Sequence, residues 1–127
     1  MHGVKAEGGW GVVCTEYCSV HPSSDDHPFP HESLWDEGDI KNLRLITDAV
    51  HEQGSLAGVE LRYGGRSAAN LYGRKASFGP SSLPNTTLVG MPVQSQAMSP
   101  ADICELKIWY QAVEGLPPDR VIVYMSS

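Results

Sequence analysis

Glu60 lies inside an otherwise apolar strand pattern and is the residue of this sequence best suited to chemistry. It stands between Val59 and Leu61, where an ionised carboxylate is costly unless a donor or an opposite charge satisfies it. The donor is either a protein group, such as a nearby arginine, or a bound molecule; alternatively, the side chain faces outward. The pair Gly64-Gly65 follows, and glycines at a strand end let the backbone approach a bound group closely. The pattern predicts a binding site at this strand end.

A second apolar strand pattern ends in polar groups in the same way. Val12 and Val13 precede Thr15, Glu16 and Tyr17. A tyrosine here usually belongs to the core or rim with its hydroxyl satisfied, but its ring can also wall a pocket. Because α/β folds place their sites at the carboxyl ends of parallel strands, we expect the two strand ends to lie together.

A metal site is the alternative for the neighbouring cysteines and histidines. Cys14 and Cys18 are four residues apart, on one side if the strand is regular, and His21, His27 and His31 follow. Thiolate and imidazole suit zinc, but this spacing matches no familiar zinc pattern. We therefore interpret the histidines as solvated loop residues and expect no metal.

The elements that position these residues alternate between strands and helices. Strands are predicted at 10–17, 56–62 and 121–124, and helices at about 39–53 and 100–114, with a long loop without helical period at 63–98. This order predicts parallel strands. Asp39 is the expected N-cap of the first helix and Gly54 its C-terminal glycine, while Ser99 and Asp102 form a capping-box pattern. The apolar stripes of the helices are Ile40, Leu43, Ile46, Thr47 and Val50, and Ile103, Leu106, Tyr110 and Val113.

Composition limits the class of protein. The 127 residues are enough for one domain, and the net charge of −6 argues against a nucleic-acid partner. No apolar run reaches the roughly 20 residues of a membrane span, and the N-terminus lacks a signal-peptide pattern. Three cysteines, an odd number, suit a reducing compartment, so we expect a cytoplasmic protein.

Several runs of residues, in order, resemble the old yellow enzyme family of NADH:flavin oxidoreductases. The likeness is strongest to its trimethylamine and histamine dehydrogenase branch and extends from about residue 4 to about residue 112. The runs that carry it are Lys5-Ala6-Glu7-Gly8-Gly9-Trp10, Thr15-Glu16-Tyr17-Cys18-Ser19, Ser24-Asp25-Asp26, Trp35-Asp36-Glu37-Gly38-Asp39, Leu56-Ala57-Gly58-Val59-Glu60-Leu61, Tyr63-Gly64-Gly65 and Gly79-Pro80-Ser81.

The resemblance implies a partial (β/α)8 TIM barrel, with residues 1–127 as a fragment of an FMN-binding barrel domain that supplies approximately strands two to four. It implies that Glu60 meets the pyrimidine edge of FMN and that Tyr17 contacts the flavin and walls the substrate pocket. Arg66 matches an arginine that follows the glycine turn in many members. Arg62 departs from the amine branch, which tends to carry an aromatic there. The His-x-x-Tyr or His-x-x-Asn pair of the family is not present in the sequence, so catalytic residues stay unassigned.

The implied activity is hydride transfer from a small-molecule amine to FMN, as in an amine dehydrogenase or demethylase. An ene-reductase of the same family and a non-enzymatic small α/β binding module are the alternatives. The implied partners are the remainder of the barrel and, for a full-length protein, further copies of itself. An iron–sulfur cluster is expected in the full-length protein only, not bound by this chain, and the chain alone is expected to be inactive.

Overall fold

A computed structural model describes residues 1–24, 32–71, 73–87, 90–115 and 121–125. The helices are α1 (His2–Glu7), α2 (Asp39–His51) and α3 (Pro100–Glu114), and a 3-10 turn spans Gly65–Ser67. The strands are β1 (Val12–Ser19), β2 (Leu56–Arg62), β3 (Ser77–Gly79), β4 (Pro84–Thr86), β5 (Pro92–Ala97) and β6 (Val121–Met125). In the described part of the chain, no helix is long and apolar enough to cross a membrane.

The main sheet is parallel and has β2 at its centre, in the order β1-β2-β6. The predicted strands are therefore confirmed, with β1 displaced by two residues from the predicted range. Alternate residues of β2 face the helices, and two adjoining clusters form the core there. The first cluster contains Cys18, Val20, Leu34, Leu43, Val59, Leu61 and Val113, and the second Ala6, Val13, Val50 and Ala57.

Both predicted helices form. The predicted N-terminal cap is confirmed for α3 and differs for α2. At α3, Ser99 Oγ accepts from the Asp102 N–H and the Asp102 carboxylate accepts from the Ser99 N–H, which confirms the capping box. At α2, Asp39 is the first helical residue rather than the N-cap, because its carboxylate reaches back to Ser33 Oγ and the Trp35 N–H. Gly54 follows the helix with a φ of +76°, the conformation expected of a terminating glycine.

The apolar stripe of α2 packs as predicted, and that of α3 only in part. Leu43, Thr47 and Val50 are buried, whereas Ile103 at the start of the α3 stripe is 43% exposed. The outer face of α2 is solvated and carries charged residues. Those charged residues are Lys41, Arg44, Asp48 and Glu52.

The long loop contains a small sheet of its own, which the sequence did not predict. Strand β5 lies between β3, with which it is parallel, and β4, with which it is antiparallel. Ser95 connects the segments, because its Oγ bonds to the carbonyl oxygens of Ser81 and Leu83 at 2.8 and 2.9 Å. These strands are short and rich in Ser, Pro, Asn and Thr, so they carry no apolar alternation that a period of two could reveal.

Candidate flavin-binding site

A β-bulge in β1 decides which side chains of that strand share a face with Glu60. Cys14 pairs with Gly58, but Tyr17 pairs with Glu60, so β1 has one residue more than β2 between these pairs. The Glu60 N–H donates to Thr15 Oγ1 at 3.4 Å within the bulge. The extra residue turns Tyr17 to the side of the sheet that carries Cys14, since without it Tyr17 would lie on the helix side.

We define the open face as the side of the main sheet opposite the helices. It carries Cys14, Tyr17, Gly58, Glu60 and Arg62, and at its other end the exposed apolar residues Val12, Leu56 and Ile122. The polar residues lie at the carboxyl ends of the strands and the apolar residues at the amino ends. The two residues that the sequence singled out, Tyr17 and Glu60, are therefore brought together on this face, in direct register.

Three side chains form the polar end of the open face. Tyr17, Glu60 and Arg62 are all half-buried. The Arg62 guanidinium carbon lies 4.5 Å from the centroid of the Tyr17 ring, a distance typical of a cation–π contact. A carboxylate, an aromatic ring and a cation thus lie within two residues of each other along two paired strands. This arrangement can bind a polar planar ligand edge and exclude water from its faces.

Gly58 leaves room for a side chain of the neighbouring strand on the open face. A Cβ atom at this position would fall 2.5 Å from Cys14 Sγ, closer than real Cβ contacts allow. The space that a side chain would need at residue 58 is occupied by Cys14 of the neighbouring strand. On the open face, the Cys14 side chain therefore covers the backbone of Gly58, two residues before Glu60.

Ser24 fixes the loop that joins the two strand ends. Its Oγ accepts from the Gly64 N–H at 2.7 Å and from Ser19 Oγ at 3.4 Å. The Val20 N–H donates to the Arg62 carbonyl at 3.1 Å. The Gly64 N–H is therefore bonded within the protein. A Cβ at Gly79 would fall 2.8 Å from Arg66 Cβ. The missing side chain of Gly79 therefore lets Arg66 lie close to β3, and the Arg66 side chain is exposed.

His21 connects the same loop to α3, and the interpretation of this histidine as solvated is wrong. Its ring stacks on Trp109 with 3.7 Å between centroids and 5° between planes. Nδ1 is 2.8 Å from Ser23 Oγ, which is 3.1 Å from the Tyr63 hydroxyl. Burial, together with the charge of Lys75, lowers the pKa of His21. His27 and His31 lie outside the described residues, as do Asp25 and Asp26.

The two cysteines of β1 lie on opposite faces, which contradicts the expectation that they share a side. Cys14 faces Gly58 on the open face, whereas Cys18 packs with Leu61 and Leu43 in the core. The bulge between them is the physical reason, because it reverses the alternation. Within the described ranges, no group of three or more His, Cys, Asp or Glu residues is placed to hold a metal ion.

Cys18 is expected to be the least reactive thiol of the chain. Burial, and next the negative charge of Glu32, raises its pKa to about 12 from an ordinary 9.0. The folded state disfavours the Cys18 thiolate more than the unfolded state does. The free energy of unfolding is therefore highest below pH 9, and it falls as the pH rises from 9 towards 12. Iodoacetamide at pH 8 should therefore label exposed Cys104 and spare Cys18 until the chain unfolds. Labelling of folded Cys18 at the rate of Cys104 would contradict the burial of Cys18.

The same pKa predicts a pH-dependent effect of Cys18→Ala on stability. The difference in free energy of unfolding between the natural chain and Cys18→Ala should become smaller above pH 9.

The sequence profile of the NADH:flavin oxidoreductase / NADH oxidase family matches residues 2–113. The chain belongs to this family. It is 54% identical over 79 residues to dimethylamine dehydrogenase of Hyphomicrobium sp. (strain x), covering 62% of this chain and 11% of that enzyme. The family is one of flavin-dependent oxidoreductases.

Solved structures of related proteins superpose on this chain. Histamine dehydrogenase from Rhizobium sp. 4-9 superposes with a TM-score of 0.84 and 36% identity, over 97% of this chain and 18% of that one. The old yellow enzyme homologue from Zymomonas mobilis superposes with a TM-score of 0.75 over 96% of this chain and 37% of its own; at 19% identity this likeness concerns the fold alone. The chain spans less than a fifth of the length of the two amine dehydrogenases.

The predicted fold class is confirmed by these superpositions. The main sheet, with α2 and α3, is part of a (β/α)8 barrel, approximately its strands two to four. In such a barrel the helices lie outside, so the open face is the side that faces the barrel interior. Its polar end, with Tyr17 and Glu60, lies at the carboxyl ends of the strands, where barrel enzymes place their active sites.

Proposed function

We propose that residues 1–127 form part of the FMN-binding barrel domain of an oxidoreductase that oxidises amines. The observation that carries the proposal is the in-register pair of Tyr17 and Glu60 on the open face, at the carboxyl end of the sheet. The dimethylamine and histamine dehydrogenases among the relatives support an amine as the substrate. The remaining barrel strands would complete the site, because the open face carries exposed apolar residues that an intact barrel interior would cover.

The residues of the open face fit a flavin. Glu60 offers carboxylate oxygens, which are suited to accept a hydrogen bond from the imide N–H of the flavin pyrimidine ring. Two residues before Glu60, the Cys14 side chain covers the backbone of Gly58. Tyr17 adds an aromatic surface next to Glu60. The set combines a hydrogen-bond acceptor and an aromatic wall, which suit a planar and polar cofactor.

The protein's part in the proposed reaction is to hold and orient. FMN, when bound, supplies the acceptor for a hydride from the carbon beside the amine nitrogen. In the substrate that C–H bond breaks, the nitrogen lone pair forms a C=N bond, and water then hydrolyses the imine to an amine and a carbonyl compound. Glu60 would hold the pyrimidine edge, while Tyr17 would wall the pocket and keep water from the reacting carbon.

The three cysteines of this chain are not placed to bind an iron–sulfur cluster together. Cys14 lies on the open face, Cys18 in the core and Cys104 on the exposed side of α3. Iron–sulfur clusters are held by several thiolates around one centre. A cluster in a full-length protein would therefore take its ligands from other segments.

Amine-dependent dye reduction by the protein of the complete reading frame tests the proposal. We expect the purified protein to carry FMN and to reduce a dye when a secondary amine is added, with Tyr17→Leu raising KM. The 127-residue chain alone should show little or no turnover, because most of a barrel's site lies beyond it. A complete protein that carries no flavin, or that reduces no dye with a secondary amine, would refute the proposal. Fast turnover by the 127-residue chain would refute only the claim that the site needs the remaining barrel strands.

A further inference from the structure

His21 connects the loop after β1 to the end of β2 and to α3. Its half-buried ring stacks on Trp109 of α3, with 3.7 Å between the ring centroids and 5° between the planes. The Nδ1 atom of His21 lies 3.2 Å from the backbone nitrogen of Ser23 and 2.8 Å from Ser23 Oγ. Ser23 Oγ in turn lies 3.1 Å from the hydroxyl of Tyr63, the residue directly after β2. His21 therefore links three elements through one ring and one short chain of hydrogen bonds.

These contacts require an imidazole that carries no proton at Nδ1. A backbone N–H can only donate, so the Ser23 N–H needs the Nδ1 lone pair as its acceptor. When Nδ1 binds a proton, two N–H groups face each other and this hydrogen bond is lost. The Ser23 hydroxyl can rotate and accept from the new N–H, but the backbone N–H cannot reverse its role. Protonation of His21 therefore removes one of the bonds that hold the turn between residues 21 and 23.

The charges around His21 act in both directions. Lys75 in the long loop and Glu105 in α3 line the same cavity as the His21 ring, with a volume of about 540 Å³. Lys75 disfavours an imidazolium, whereas Glu105 and the π-face of Trp109 favour one. Asp102 also lines this cavity, but its carboxylate is engaged in the capping box of α3. Burial, and next the charge of Lys75, prevail and lower the pKa of His21 from its ordinary 6.5.

The lowered pKa gives the direction of the pH effect. As the pH falls below 6.5, the histidine of an opened loop binds a proton before the histidine of the closed loop does. The contribution of His21 to the closed loop is therefore fully present above pH 6.5, and it is lost as the pH falls through the lowered pKa. The Tyr63 hydroxyl stays neutral over this range, because burial raises its pKa from an ordinary 10.0.

We propose that His21 is a pH-sensitive latch, which holds the loop of residues 20–24 against β2 and α3 at neutral pH and releases it on acidification. The inference rests on contacts within this chain and does not depend on the proposed amine oxidation. Two further bonds join the same loop to the end of β2. The Val20 N–H donates to the Arg62 carbonyl, and the Gly64 N–H donates to Ser24 Oγ. Because Arg62 lies on the open face, release of the loop loosens the rim of the proposed flavin site.

Hydrogen–deuterium exchange of the protein of the complete reading frame tests the latch between about pH 5 and pH 8, the range in which histidine changes charge. After correction for the intrinsic pH dependence of exchange, protection of the Ser23 amide should fall by about 2- to 10-fold on acidification, the value of one hydrogen bond. His21→Phe keeps a ring that can stack on Trp109 but binds no proton, so protection should be equal at both pH values. His2→Phe, the same substitution in α1, should leave the pH effect intact.

Two exposed charges of the cavity test the latch without a change to the ring. Lys75→Gln should move the midpoint of the effect to higher pH, and Glu105→Gln should move it to lower pH. A midpoint that stays fixed in both variants or moves the opposite way would overturn the latch, as would equal protection at both pH values in the natural protein. A pH effect that persists in His21→Phe, or an equal loss of protection in α2, would also overturn it, because the opening would then not depend on His21 or would be global.

Discussion

Replacing Leu61 with alanine is expected to lower the free energy of unfolding by about 2–5 kcal/mol, the range for truncating a buried leucine. Leu61 is 1% exposed and packs between the main sheet and α2, with Cys18, Leu34 and Leu43. Its central position in the sheet prevents the surroundings from closing over the cavity. Urea unfolding of the chain, followed by tryptophan fluorescence, measures the change.

Leu45→Ala is the matched control for the Leu61 substitution. Leu45 lies on the outer face of α2 and is 72% exposed, so the same truncation should change stability by no more than about 0.5 kcal/mol. Equal losses in the two variants would contradict the placement of the core between the sheet and α2.

Replacing Gly58 with alanine is expected to destabilise the chain by about 1–3 kcal/mol through overpacking. The new Cβ would lie 2.5 Å from Cys14 Sγ and 3.6 Å from Cys14 Cα. Either the cysteine side chain must rotate or β1 and β2 must separate locally. The reduced backbone entropy of the unfolded chain offsets part of the loss.

A double substitution isolates the cause of the Gly58 effect. Cys14→Ala removes the sulfur, which leaves Cys14 Cβ at 3.4 Å as the nearest contact of the added methyl group. The pair Cys14→Ala and Gly58→Ala should therefore be less destabilised than the sum of the single variants, by about 0.5–3 kcal/mol. Strict additivity in a double-mutant cycle would mean that the two side chains do not share this space.

The strands and helices of the barrel segment were predictable because each carries a strong period. The stripe of α2 that includes Leu43 and Val50 repeats at helical spacing, and β2 is apolar through Val59 and Leu61. The short α1 has only six residues, too few to display a period. The sheet of the long loop escaped prediction because its strands are held by serine and backbone hydrogen bonds rather than by an apolar face.

The sequence pattern proposed Glu60 and Tyr17 as site residues, but it could not predict the geometry that brings them together. Glu60 stood out because a carboxylate in an apolar strand needs a partner. The bulge had no sequence signal beyond an odd spacing: Val13 and Cys18, five residues apart, both face the core, which a regular strand forbids. The contact of Arg62 with Tyr17 depends on that bulge, because a regular strand would turn Tyr17 to the other side.

An FMN titration of the flavin-free protein of the complete reading frame, followed by flavin fluorescence, tests most directly whether the open face is part of a flavin site. We expect saturable quenching, with an FMN affinity that Glu60→Leu weakens by about 10- to 100-fold, the value of a hydrogen bond to a charged group. Glu52→Leu, on the exposed end of α2, should bind as the natural chain does. Quenching that is absent, or equal in all three proteins, would contradict the assignment of Glu60 to the flavin.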